Sequence, residues 1–117
     1  MVKYVLDTNT CIAAIRNHVA VLRRMMSMPP EEMAVAVMTV AELWFGALKS
    51  ANPARGRAVT DAFLEPFDLL PFDEAAADSY ASTRRHLESH GTPIGERDLI
   101  IASTALAQDL TVVTNNT

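Results

Sequence analysis

Three acidic residues hold most of the chemistry this chain could perform: Asp7 in YVLDTNT, Glu42 in MTVAELWFG and Asp98 in IGERDLIIAS. Each lies where a strand or loop hands over to a helix. Such handovers gather at one edge of an α/β sheet, so the three carboxylates are expected to converge there. At about 5 Å apart they would repel one another by roughly 3 kcal/mol per pair at an effective dielectric near 20. A fold gains nothing from that arrangement unless a cation offsets it. Carboxylate oxygens with few basic residues among them suit Mg²⁺ or Mn²⁺, which accept them while keeping several waters. The chemistry implied is metal-assisted attack on a phosphodiester.

Local explanations compete for each acid. Thr39-Val-Ala-Glu42 has the spacing of a capping box, with Glu42 reaching back to the Thr39 backbone N–H. Asp98, like Glu96, suits the positive end of a helix. Asp7 or Thr8 would serve as an ordinary N-cap.

The elements that must position these acids alternate. Val2 to Leu6 reads as a buried strand, followed by helices from Thr8 to about Asn17 and from Val19 to Met28, stopped by Pro29–Pro30. Met33 to Met38 is the next strand. From Thr39 to about Ser50, Val40, Leu43, Trp44, Ala47 and Leu48 follow a 3.6-residue period. Asn52–Pro53 caps a further helix ending near Pro66. DLLPF is a short edge strand, since Pro71 is unsuited to a central one. A long helix runs from Asp73 to about His90 and closes at Gly91. Glu96 to Gln108 is helical and Leu110 to Thr114 is the last strand. The expected fold is α/β: a small, mostly parallel, twisted sheet of four strands with helices on both faces. Asp7 then ends the first strand, while Glu42 and Asp98 occupy first helical turns, and Asn115 and Asn116 leave the last strand at the same edge.

Composition narrows the field. A chain of 117 residues, 50% hydrophobic and 21% charged, is one domain with its own core. The single cysteine, Cys11, excludes an internal disulfide and a Cys-rich zinc site, and reads as a small buried hydrophobe. A formal charge of −4 and a pI near 5.2 argue against binding nucleic acid through a broad basic face. They leave room for an enzyme that meets phosphates through metal ions and a few arginines. Arg23–Arg24, Arg55 with Arg57, and Arg84–Arg85 are local basic pairs, each also readable as a solvated helix face. No apolar run approaches the roughly 20 residues of a membrane span, and the N-terminus is too short in its apolar part for a signal peptide, so a cytoplasmic protein is expected. Trp44, Phe45 and Leu48 with Phe63, Leu64 and Phe67 are either core or a groove for a partner helix. His18, His86 and His90 have no ligand spacing to the acids, and the six methionines read as core filler.

LDTNTCI, TVAELWFGA, GTPIGERDLIIASTAL and LTVVTNN occur in the order and spacing of the PIN-domain ribonucleases, and the chain resembles most closely the VapC toxins of toxin–antitoxin pairs. The resemblance spans essentially the whole chain. It implies that Asp7 binds the catalytic Mg²⁺ or Mn²⁺ with Asn9 steadying the site, and that Glu42 and Asp98 complete the acidic cluster. It also implies small hydroxyls near the metal at Thr8 and Thr114, with Asn116 in support. Arg97, Arg84 and Arg85 are candidate phosphate contacts. The family implies an RNA substrate, tRNA and initiator tRNA among the candidates, a VapB-type antitoxin as partner, and a homodimer. In the family the TNN block continues into an acidic residue, a phenylalanine and a last strand. The sequence stops at Thr117, so the resemblance implies a domain short of that strand and of the cluster's fourth acid. A degenerate PIN fold kept for binding is therefore one alternative. A phosphatase using Asp7 as nucleophile is another, disfavoured because the second acid it needs two residues on is Asn9.

Overall fold

Tyr4–Leu6 (β1) is an aromatic and β-branched run with Val5 and Leu6 wholly buried, and it lies at the centre of the molecule. The computed structural model describes residues 1–92 and 94–114. β1 pairs in parallel with Met33–Ala36 (β2) on one side and with Thr111–Val113 (β4) on the other. Asp68–Leu70 (β3) adds a third parallel pairing at the edge of β2, giving the order β3-β2-β1-β4. The expected four-stranded α/β sheet is thus present, with every described pairing parallel.

Alternation along the strands makes two cores. Leu6, Met33, Val35 and Val113 point to one face, where they meet Cys11, Ala14, Val21, Val40, Leu43 and Leu64. Those partners come from Thr8–Ile15 (α1), Val19–Met26 (α2), Val37–Leu48 (α3) and Pro53–Leu64 (α4). Val5, Ala34, Ala36 and Leu70 point to the opposite face, against Ile101 and Ala105. These belong to Glu96–Ala107 (α6), which is backed by Glu74–Ser89 (α5).

The helix ends follow their side chains. Asn52 caps α4 through its side-chain oxygen and Pro53 begins it, and Asp73 caps α5 by accepting from the Ala76 N–H at 3.0 Å. Gly91, at φ +63°, ends α5, with the Thr92 N–H donating to the Leu87 carbonyl at 2.9 Å.

One boundary differs from the sequence-based expectation in a way that matters. Val37 and Met38 have strand-like side chains, yet they form the first turn of α3 rather than the end of β2. The ladders explain this. β1 pairs only as far as Val35 and β3 only as far as Ala36, so backbone beyond Ala36 has no strand partner and satisfies itself as helix. Glu42 consequently lies in the second turn of α3, not the first. No capping box forms: Ala36 is the N-cap residue, and the Thr39 hydroxyl bonds elsewhere.

Gly91 has no neighbour within 4 Å of a Cβ built on it, so a side chain there would meet only backbone strain. Gly91→Ala is expected to lower unfolding free energy by about 1 kcal/mol with no loss of secondary structure, measured by urea denaturation followed by circular dichroism.

Candidate active site

Asp7 is the only residue between β1 and α1, and three hydrogen bonds of its own fix it in place, one of them from the Cys11 N–H to its carbonyl at 3.1 Å. Its N–H donates to the Val113 carbonyl of β4 at 3.0 Å, and its Oδ1 accepts from the Thr10 N–H at 2.8 Å as the N-cap of α1. The Thr10 hydroxyl donates to the same Val113 carbonyl at 3.1 Å, tying α1 to the end of β4. The capping and functional readings of Asp7 are therefore compatible: one oxygen serves the helix, and the side chain still stands at the C-terminal edge of the central strand.

Glu42 reaches that edge from one turn further along α3. Helical side chains lean toward the N-terminus, and the long glutamate arm covers the extra turn. The Thr8 hydroxyl donates to Glu42 Oε1 at 2.7 Å, and Arg97 Nη1 approaches Oε2 at 3.5 Å. Asp98 lies in the first turn of α6, exposed, with Oδ2 3.6 Å from the position a Cβ would take on the N-cap residue Gly95.

These side chains share one cavity of about 520 Å³ at the C-terminal ends of the strands, lined by Asp7, Thr8, Asn9, Glu42, Lys49, Arg97 and Asp98 among others. Asp7, Asn9 and Asp98 also border an adjacent hollow of about 390 Å³ that contains Thr114. The close convergence expected of the three carboxylates is not observed. Among the described residues, no three His, Cys, Asp or Glu side chains are grouped tightly enough to hold a metal ion. Like charges separate when each has a nearer donor, and here Thr10 serves Asp7 while Thr8 and Arg97 serve Glu42. The acids face a common space without forming a closed ligand set.

The basic candidates divide. Arg97 is at the cavity. Arg84 is on α5, where it donates to Glu88 at 2.8 Å and to the Tyr80 hydroxyl at 3.0 Å beside a separate hollow of about 170 Å³. Neither Arg84 nor Arg85 lines the acid cavity. The Glu88 and Tyr80 bonds hold the Arg84 guanidinium proton more tightly than usual, as expected of a structural surface pair. Lys49, missed in the sequence, lines the cavity with its Nζ 4.9 Å from the Phe45 ring centre. Its spacing of seven from Glu42 puts both on one helical face, and that was the available signal. Asn116 and Asn115 lie outside the described residues.

The groove reading of the six apolar residues also needs correction. Leu64 is buried, and Trp44, Phe63 and Phe67 pack against the core, with the Trp44 indole donating to Asp61 at 2.9 Å and Arg57 stacked 3.8 Å from its ring centre. Phe45 and Leu48 face outward, 57% and 71% exposed. A groove of about 480 Å³ does exist, between α1, α3 and α4, but its walls include Ile12, Ile15, Leu43, Gly46 and Val59 instead. It joins the acid cavity through Ile12, Glu42 and Gly46, which line both.

A parallel sheet that places Asp7, Glu42 and Asp98 around one cavity fits the matches found among known proteins. The PIN domain family pattern covers residues 4–117. The chain belongs to the PIN domain family. A tRNA(fMet)-specific endonuclease VapC of Shigella flexneri is 39% identical over 117 residues, covering 100% of this chain and 89% of the relative. In the DNA-bound VapBC of Salmonella typhimurium, one chain matches with a TM-score of 0.93 and 39% identity over 99% of this chain and 88% of the other. The VapBC2 of Rickettsia felis bound to a promoter DNA fragment matches with a TM-score of 0.90 and 33% identity over 99% and 88%.

PIN nucleases in general depend on divalent metal ions. The donors of this PIN domain suit such an ion: they are carboxylate, hydroxyl and amide oxygens, with no imidazole or thiol among the cavity residues. An open site of this volume fits a hydrated ion better than a fully protein-caged one. The one thiol nearby, Cys11, is buried under Asp7, and desolvation, with the Asp7 charge adding to it, pushes it from about 9.0 up to about 12. It is no nucleophile. Between pH 9 and about 12 the unfolded chain sheds this proton while the folded protein keeps it, so stability falls as pH rises through that window. In the folded protein at pH 8, Cys11 is expected to resist Ellman's reagent and to react fully once urea unfolds the chain.

Proposed function

We propose that this PIN domain is a divalent-metal-dependent endoribonuclease of the VapC type, with Asp7, Glu42 and Asp98 as its catalytic acids. The observation that carries the reading is their meeting around one cavity at the C-terminal edge of the parallel sheet, where α/β proteins bind ligands. Asp7, Glu42 and Asp98 would hold a hydrated Mg²⁺ or Mn²⁺ by closing in from the separated positions they take around the cavity, with Asn9 steadying the site and Thr114 beside it. Such an ion, when bound, makes a water nucleophilic at neutral pH and neutralises charge on the phosphoryl oxygens. Glu42 or Asp98 accepts the proton of the attacking water. Arg97 and Lys49 stand at the rim as cations for flanking phosphates, giving an acidic protein a local means of engaging RNA.

tRNA is the substrate proposed, on the strength of the Shigella flexneri relative that is named for tRNA(fMet). The partner is a VapB-type antitoxin, consistent with the VapBC complexes this chain resembles. The apolar groove between α1, α3 and α4 suits a segment of that antitoxin, since it opens directly onto Glu42. Val37, Phe45 and Leu48 face outward from α3 and suit contact with a second copy of the chain. No described helix is long and apolar enough to cross a membrane, and the place of action proposed is the cytoplasm.

Three experiments test the reading. Asp98→Asn, or EDTA added to the parent protein, is expected to slow cleavage of a tRNA pool by about 100-fold or more. Cleavage at the parental rate by Asp98→Asn would remove Asp98 from the site, and EDTA-resistant cleavage would remove the metal. Lys49→Ala is expected to raise KM for RNA about three- to fivefold with kcat unchanged, and to reduce the slope of log affinity against log salt by roughly 0.7.

A further inference from the structure

Thr39 is wholly buried in the first turn of α3, and its hydroxyl is used in an uncommon way. A buried helical threonine ordinarily returns its hydroxyl to the carbonyl four residues back. Thr104 does so, donating to the Ile100 carbonyl at 2.8 Å. For Thr39 the residue four back is Val35, a member of β2. Its hydroxyl instead crosses to α1, where Oγ1 lies 3.1 Å from Thr8 Oγ1, its only hydrogen bond among the described residues.

Thr8 has one hydroxyl proton and two partners, Thr39 Oγ1 at 3.1 Å and Glu42 Oε1 at 2.7 Å. A carboxylate oxygen is the stronger acceptor and its bond is the shorter, so Thr8 gives it the proton. Thr39 must then be the donor of the other bond. Its proton occupies a lone pair of Thr8 and leaves the Thr8 O–H aimed at Glu42. That fixes Oε1 against α1 and turns Oε2 toward Arg97 and the cavity.

We infer that Thr39 is a positioning residue: acting through Thr8, it selects which oxygen of Glu42 faces the cavity. The inference rests on the assignment of Glu42 to the metal site and extends it to a side chain that touches neither metal nor RNA. Groups that orient a ligand from behind are commonly worth 10- to 100-fold in metal affinity or activity. Thr39 acts at one further remove, so about tenfold is expected.

The test uses Mn²⁺ titration calorimetry on the chelator-treated protein, alongside kcat and KM for RNA. Thr39→Val keeps the shape and removes the hydroxyl; Thr39→Ser keeps the hydroxyl and removes a buried methyl. Thr39→Val is expected to bind Mn²⁺ about tenfold more weakly and to lose kcat with KM for RNA unchanged. Thr39→Ser should stay within about twofold of the parent in both, although its unfolding midpoint should be the lower of the two. A role in packing alone would rank the two variants the other way. In a Thr8→Val background, Thr39→Val should have no further effect, because the route through Thr8 is already gone. Parental Mn²⁺ binding by Thr39→Val, equal defects in both variants, or additive losses with Thr8→Val would each overturn the inference. Glu42→Gln is the control for the underlying site. If it binds Mn²⁺ like the parent, the site assignment falls; if it binds weakly while Thr39→Val does not, the Thr39 inference alone falls.

Discussion

β1 supports the rest of the molecule through its two parallel ladders. Val5 and Leu6 are buried on opposite faces, so this short strand belongs to both cores and hydrogen-bonds on both edges. Leu6 is in register with Val35 on one side and Val113 on the other. That alignment ends three strands at one level and brings the next turns of chain to a common rim. Asp7 is the first residue above the rim, and it is pinned there by a bond to Val113, not by contact with the other acids.

Around that rim, charge is managed by neighbours of ordinary kinds. An amide of α1 donates to Asp7, a hydroxyl from α1 holds Glu42, and a guanidinium from α6 lies on the other Glu42 oxygen. The Arg97–Glu42 contact is long and its arginine mostly exposed, so it is worth at most about 1 kcal/mol and is easily exchanged for another partner. The Thr8 bond is shorter and partly buried and defines the carboxylate's orientation. Glu42 thus has one firmly held oxygen and one loosely held oxygen, a sensible division for a group that must stay in place yet remain available.

Much of this was legible in the residues themselves. Strand and helix alternation, the Pro71 edge strand, the Asn52 and Asp73 caps and the Gly91 stop are all local signals, and each reappears in the fold. The misplaced start of α3 arose because Val37 and Met38 look like strand, while the cause of helix there is where β1 and β3 stop pairing. That information is tertiary. With Val37 and Met38 counted as strand, Thr39 and Glu42 also read as a capping box; in the fold they are two members of a hydroxyl-linked set reaching Thr8. Arg84 and Arg85 drew attention as a basic pair, but Tyr80 and Glu88 on the same helix satisfy Arg84. A lone lysine carries no motif, although the helical phase of Lys49 with Glu42 places it at the site.

The two junctions at the rim are very short: a single residue joins β1 to α1, and none separates β2 from α3. An extra residue taken into the first turn of either helix would rotate its later side chains by about 100° relative to the strand. Its apolar stripe would leave the core and its rim residue would swing to another face in the same motion. Drift in loop length among descendants of this chain should therefore accumulate at the opposite end of the sheet, in stretches such as 27–32 and 108–110, while these two seams keep a constant count.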